Sequence, residues 1–145
     1  MSPRFDWPRD APRPKGCDLM SQEAKALKIV GIISFLAGIA LVITSFVEMV
    51  LTHFALESML LLVAGGFCLF LGREGALAAN VPSTANEVIF SAGSAVFWSV
   101  CLSVGTWFAA GRQFNLCVYL VPVSVVLTLL VTLMLVRVAK AEEQV

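Results

Sequence analysis

Charge is scarce in this 145-residue sequence: 14% of its residues are Asp, Glu, Lys or Arg, against about 25% in soluble domains. It has a single histidine and a single tyrosine. The four cysteines (Cys17, Cys68, Cys101 and Cys117) form no C-x-x-C pair, which excludes a zinc ribbon and a thiol-redox motif. No glycine-rich phosphate loop, H-E-x-x-H helix or G-x-S-x-G elbow occurs, so the usual nucleotide, zinc-protease and hydrolase signatures are missing. A Ser-His-Asp triad would have to use His53, the sole imidazole. The net charge is zero and the acids are interleaved with the bases, which leaves no basic face for a nucleic acid. The expectation is a protein that is not an enzyme and holds no metal or cofactor.

What the chain has in abundance is apolar residues, 59% of the total, with a mean hydropathy of +0.89. They fall in four blocks. Ile29–Val47 is free of charge and continues past Glu48 to Leu51; Ser58–Gly72, Val88–Gly111 and Gln113–Val136 are also charge-free. A helix rises about 1.5 Å per residue, and a bilayer core about 30 Å thick takes about 17–25 residues. Three blocks clear that length, and the second does so only if Leu56 and Glu57 are included. A chain this short has no outer layer with which to bury four such helices. In lipid the backbone must be satisfied internally, by helices or a closed barrel, and the blocks lack the period-two alternation of barrel strands. The fold expected is all-α: an integral membrane bundle of four transmembrane helices over residues 29–138, at about 29–51, 56–72, 88–111 and 114–136.

Short links near 52–55 and 112–114, with a longer polar link over 73–87, predict two helical hairpins. Leu69-Phe-Leu-Gly-Arg73 and Leu133-Met-Leu-Val-Arg137 end the two hairpins alike, a match that arises by chance more often than by duplication. Basic residues near helix ends set orientation. Arg4, Arg9, Arg13, Lys15, Lys25, Lys28, Arg73, Arg137 and Lys140 fall on one side, and Arg112 alone on the other. Both termini and the middle link are therefore expected in the cytoplasm, with Trp107, Phe108, Phe114 and Tyr119 at the outer interface. Residues 1–28 carry Pro3, Pro8, Pro12 and Pro14 among mixed charges and read as a disordered tail. Residues 1–19 read as an upstream extension, with a short amphiphilic helix from Met20 leading into Ile29. Residues 139–145 read as a second cytoplasmic tail.

Small residues recur at helical spacing. Gly31, Gly38 and Ser45 stand seven apart, as do Ser58, Gly65 and Gly72; Ser91, Ala95, Ser99 and Ser103 stand four apart, as do Ser124, Thr128 and Thr132. Such stripes let helices approach closely in lipid, so they are read as packing seams. Pro122 is expected to kink the fourth helix and free the carbonyl of Val118. Cys68, Cys101 and Cys117 read as buried small apolar residues, and Trp98 as a packing wedge. Ionisable groups inside the hydrocarbon are costly and usually functional, and the helix centres have none. The one cluster is Glu48, His53 and Glu57 at the first turn. His53 and Glu57 would share a face if a helix ran through them, making either a metal or proton site or, the reading preferred, an interfacial polar cap.

The lead-in Glu23-Ala-Lys-Ala-Leu-Lys28, the hairpin layout and the link Arg73-Glu-Gly-Ala-Leu-Ala-Ala-Asn-Val-Pro-Ser83 resemble uncharacterised small four-helix integral membrane proteins of bacteria. That resemblance implies the fold and carries no activity. Small multidrug exporters fit less well, since they place a carboxylate within the first helix whereas Glu48 lies near its end. The function expected is that of a noncatalytic multipass protein of the cell membrane, surrounded by lipid and associating with itself or with a membrane-protein partner. The alternative is a small transporter or channel subunit with a Ser/Thr-lined path at an oligomer interface.

Overall fold

A computed structural model describes residues 15–111 and 116–143. Within them the chain forms α1 (Lys15–Thr52), α2 (Leu56–Asn80), a 3-10 turn (Pro82–Thr84), α3 (Ala85–Ala110) and α4 (Leu116–Glu143). All four helices are long and apolar enough to cross a membrane. The all-helical expectation therefore holds, and the helices run beyond the expected bounds chiefly at the start of α1, the end of α2, the start of α3 and the end of α4.

Residues 15–28, expected in a disordered tail apart from a short helix from Met20, are helical throughout and continuous with α1. From Gln22 to Val30 the sequence holds neither glycine nor proline and is rich in Ala, Leu, Lys and Glu, all strong helix formers. Leu27, near the inner end of this extension, is fully buried. Residues 1–14 lie outside the described residues, as does the link 112–115 with Arg112 and Phe114. The polar link 73–87 contracts to Val81–Thr84, because α2 runs on to Asn80 and α3 begins at Ala85. Thr84 Oγ1 donates to the Val81 carbonyl at 2.8 Å, and the Thr84 N–H reaches the same oxygen at 3.1 Å. That turn chemistry lets a polar stretch serve as a helix-to-helix corner. The second span, marginal at 56–72, thereby becomes a 25-residue helix, about 38 Å long. The carboxyl-terminal tail likewise shortens, since α4 is helical to Glu143.

The buried positions explain the arrangement. Along α1 they are Leu27, Gly31, Ser34, Gly38, Leu41, Ser45 and Met49, alternately four and three apart as far as Ser45. Along α4 the same alternation runs through Cys117, Val121, Ser124, Thr128, Val131, Leu135 and Val138. A seam of this period keeps two helices facing each other along a left-handed crossing. α1 packs on α2 and α4, and α3 packs on the same two helices from the other side. A cluster about Leu27, Leu71, Val131 and Leu135 fills one end of the bundle, and one about Leu41, Leu61 and Val121 fills the other.

The closest approach is between α1 and α2. A Cβ placed on Gly31 would meet Ala76 N at 2.9 Å and Gly72 O at 3.0 Å. One on Gly38 would meet Leu69 N at 2.7 Å and Gly65 O at 3.1 Å, and one on Gly72 would meet Phe35 N at 2.5 Å and Gly31 O at 2.8 Å. At the third rung Ser45 Oγ donates to the Ser58 carbonyl at 2.5 Å. The two seven-residue stripes thus pair with each other, Gly31 with Gly72, Gly38 with Gly65 and Ser45 with Ser58. As one number rises by seven its partner falls by seven, so the helices are antiparallel in a single register about the 53–55 turn.

The stripes on the other two helices need correcting. On α3 the buried face is Ala85, Ala92, Ala95, Ser99, Thr106 and Ala110, and Ser91 and Ser103 lie half-buried at its edge. On α4 Ser124 and Thr128 are buried while Thr132 is only half-buried. Trp98 is exposed and edge-on to Phe97 at 6.1 Å, so it is no packing wedge. Cys101 also faces outward, while Cys68 and Cys117 are buried as expected.

Gly72→Ala is expected to destabilise the bundle by about 2 kcal/mol, the scale of core overpacking. Gly66, whose added Cβ would meet nothing within 4 Å, should tolerate the same change within about 0.5 kcal/mol. Unfolding by an anionic detergent, followed by far-ultraviolet circular dichroism, measures both.

Candidate functional site

Two places hold the polar side chains on which a function could rest. The first is the α1–α2 turn. α1 stops at Thr52, and His53 and Phe54 both take the left-handed backbone conformation, φ 52° and 64°. The helix therefore does not carry through to Glu57, and the shared face expected for His53 and Glu57 does not form. His53 is exposed, whereas Glu48 and Glu57 are half-buried. Glu48 turns towards α4, where Cys117 Sγ donates to its Oε2 at 3.8 Å. Glu57 also lies within electrostatic reach of Cys117. Among the described residues no three His, Cys, Asp or Glu side chains are placed to hold a metal ion. What the trio becomes is an α1–α4 tie, from Glu48 to Cys117, beside an exposed imidazole.

The second place is a belt at mid-depth, between the two apolar clusters. Ser34 Oγ on α1 donates to the Cys68 carbonyl on α2 at 3.3 Å, and Cys68 Sγ donates to the Ser124 carbonyl on α4 at 3.7 Å. Ser124 and Thr128 turn their hydroxyls onto carbonyls of their own helix, those of Val121, Ser124 and Val125. Ser99 supplies the α3 member; its Oγ is buried and makes no hydrogen bond. The belt holds hydroxyls and one thiol, with no carboxylate, imidazole or ammonium. Its chemistry is hydrogen bonding between helices, not proton transfer. Sequence reasoning found Ser99, Ser124 and Thr128, missed Ser34, and placed Cys68 inside as an apolar residue rather than as a donor. Ser34 stands three after Gly31 and four before Gly38, and reading the glycine stripe as a heptad seam with two positions per repeat would have found it.

α3 is tied differently from its neighbours. Ser91 and Thr106 bond to the Val88 and Leu102 carbonyls of α3 itself, each at 2.8 Å. Its other contacts with α2 and α4 include the apolar packing of Ala85, Ala92 and Ala95 into the core. Its outward face carries Phe90, 87% exposed, and Phe108, 78% exposed, together with Phe97, Trp98 and Trp107. Near one end of this helix, Ser103, Val104 and Trp107 border a groove with Val118 and Pro122 of α4. α4 remains helical on both sides of Pro122.

No family model, curated protein or solved structure matches this chain. The class it defines is that of a four-helix chain with membrane-spanning dimensions.

Two substitutions separate a structural belt from a fortuitous one. Ser34→Ala is expected to cost about 0.6 kcal/mol, the mean for interhelical hydrogen bonds in membranes. Ser99→Ala removes an unpaired buried hydroxyl and should be neutral or stabilising. At the turn, Phe54→Gly should stabilise by about 1 kcal/mol, since a non-glycine residue gives up that much in the left-handed conformation and Phe54 is largely exposed. Detergent unfolding curves of the three variants check all of this.

Proposed function

We propose that this is a noncatalytic multipass protein of the cell membrane, built as two helical hairpins, that acts by helix–helix association with a second copy of itself or with a membrane-protein partner. The observation that supports this reading most is α3: a narrow buried stripe and a broad aromatic outer face interrupted by Gly93. An added Cβ at Gly93 would meet nothing within 4 Å. In lipid, helix association is driven by close packing and not by the hydrophobic effect. An exposed glycine flanked by large rings offers a place for a second backbone to approach. The orientation proposed puts both termini in the cytoplasm, supported by the nine basic residues on that side against Arg112 on the other.

The second reading, a transporter or channel subunit with a Ser/Thr-lined path at an oligomer interface, draws on the unbonded Ser99 hydroxyl and on Ser103 at the α3–α4 groove. Against it, the other belt hydroxyls are satisfied by backbone carbonyls and no charge sits at mid-depth.

The test is light scattering of the protein in mild detergent, with copurification from the native membrane followed by mass spectrometry. A multimer or stoichiometric partner is expected, lost in Gly93→Leu with the unfolding midpoint unchanged. A monomer at every concentration with nothing bound contradicts the proposal. Solute flux in liposomes that is abolished by Ser103→Val would favour the second reading. Impermeant maleimide labelling of single cysteines at Ser83 and Thr52, in a background lacking the native four, tests orientation: only the Thr52 site should react from outside intact cells.

A further inference from the structure

A groove of about 250 Å³ runs along the α1–α2 surface at the end opposite the 53–55 turn. Its walls are Ile32 and Phe35 from α1 and Leu77 from α2, and its floor is Gly72 and Ala76. The floor is low because the two backbones touch there, and a Cβ on Gly72 would meet Phe35 N at 2.5 Å and Gly31 O at 2.8 Å. The mouth is polar. Lys28 and Arg73, both exposed, border it with Asn80, and Lys28 Nζ donates to Asn80 Oδ1 at 3.4 Å. No carboxylate lines the groove, so its rim carries two positive charges above an apolar trough.

We propose that this groove binds an anionic phospholipid of the surrounding bilayer, with the headgroup phosphate between Lys28 and Arg73 and an acyl chain running inward along Ile32, Phe35 and Gly72. Charge complementarity selects the occupant. A zwitterionic headgroup leaves the pair of cations only partly neutralised, whereas an anionic one neutralises them and accepts hydrogen bonds from both side chains and the Asn80 amide. The position agrees with the chemistry. Lys28 closes the polar lead-in before the apolar run of α1, and Arg73 follows the apolar run of α2, so the mouth lies at headgroup level and the trough extends into hydrocarbon. Basic pockets between helices at this depth are suited to lipid headgroups. In the orientation proposed above, the lipid comes from the cytoplasmic leaflet, though binding does not depend on that orientation.

Protein in mild detergent, incubated with phosphatidylglycerol or with phosphatidylcholine of the same acyl chains, can be assayed for bound lipid by native mass spectrometry. The wild type should prefer phosphatidylglycerol by about 30-fold, about fivefold for each cation. Lys28→Gln with Arg73→Gln should abolish the preference. Arg137→Gln with Lys140→Gln removes the same charge from exposed positions on α4 and should leave it intact. Inorganic phosphate and glycerol phosphate, which lack the chains, should not displace the lipid. Equal retention of the two lipids, equal loss in both double variants, or displacement by the free phosphates overturns the proposal. Both double variants change only exposed side chains, and circular dichroism of each confirms that a loss of lipid is not a loss of fold.

Discussion

The backbone contact between α1 and α2 is the constraint on which the rest of this bundle depends. In lipid the tails surrounding a helix are as apolar as its own leucines, so bringing two helices together yields little from the hydrophobic effect. Close approach, with many weak dispersion contacts and short polar ties, has to supply the attraction. Gly31 against Gly72 and Gly38 against Gly65 supply the approach, and Ser45 against Ser58 supplies a tie. With that pair locked, Leu27 and Leu71 are held in one core cluster and Leu41 and Leu61 in the other. The shallow floor of the cationic groove is a by-product of the same contact, because Gly72 serves both.

Polar groups within the bundle follow a consistent logic. Ser34, Cys68, Ser124 and Thr128 lie at mid-depth and bond to carbonyls across or along helices, and ionisable groups lie towards the ends. Glu48, near the end of α1, meets the thiol of Cys117 near the first residues of α4. A chain arranged this way has tools for holding helices and for meeting a membrane surface. The helix centres contain no group that gains or loses a proton near neutral pH, which is why the functional reading rests on association.

Much of this was legible from residue order. Charge-free runs located four helices, and the stripes Gly31-Gly38-Ser45 and Ser58-Gly65-Gly72 marked the closest seam, because small residues at a heptad spacing have few other uses in an apolar helix. Helix ends were less legible. Apolarity reports where lipid begins, whereas a helix continues for as long as its backbone is satisfied; α2 therefore runs eight residues past Gly72 to Asn80 through a stretch that hydropathy alone assigns to a loop. The first-turn trio was misread for a local reason. Positive φ at His53 and Phe54 breaks the helix, and neither residue type announces that conformation. Trp98 and Cys101 were placed inside on size and chemistry, but in a bilayer the outside is apolar too, so residue type does not separate core from surface. The groove at Lys28 and Arg73 joins residues 45 apart in sequence, and only the antiparallel pairing brings them to one mouth.

The register of that pairing is open to one direct measurement. With only glycine labelled, through-space proton contacts can be recorded for the protein in micelles or nanodiscs. Cross-peaks between Gly31 and Gly72 and between Gly38 and Gly65 are the expected result, with none from Gly66 or Gly93 to any glycine of α1. Contacts from Gly66 to α1, with the Gly31–Gly72 pair silent, would turn α2 to its opposite face and contradict the account.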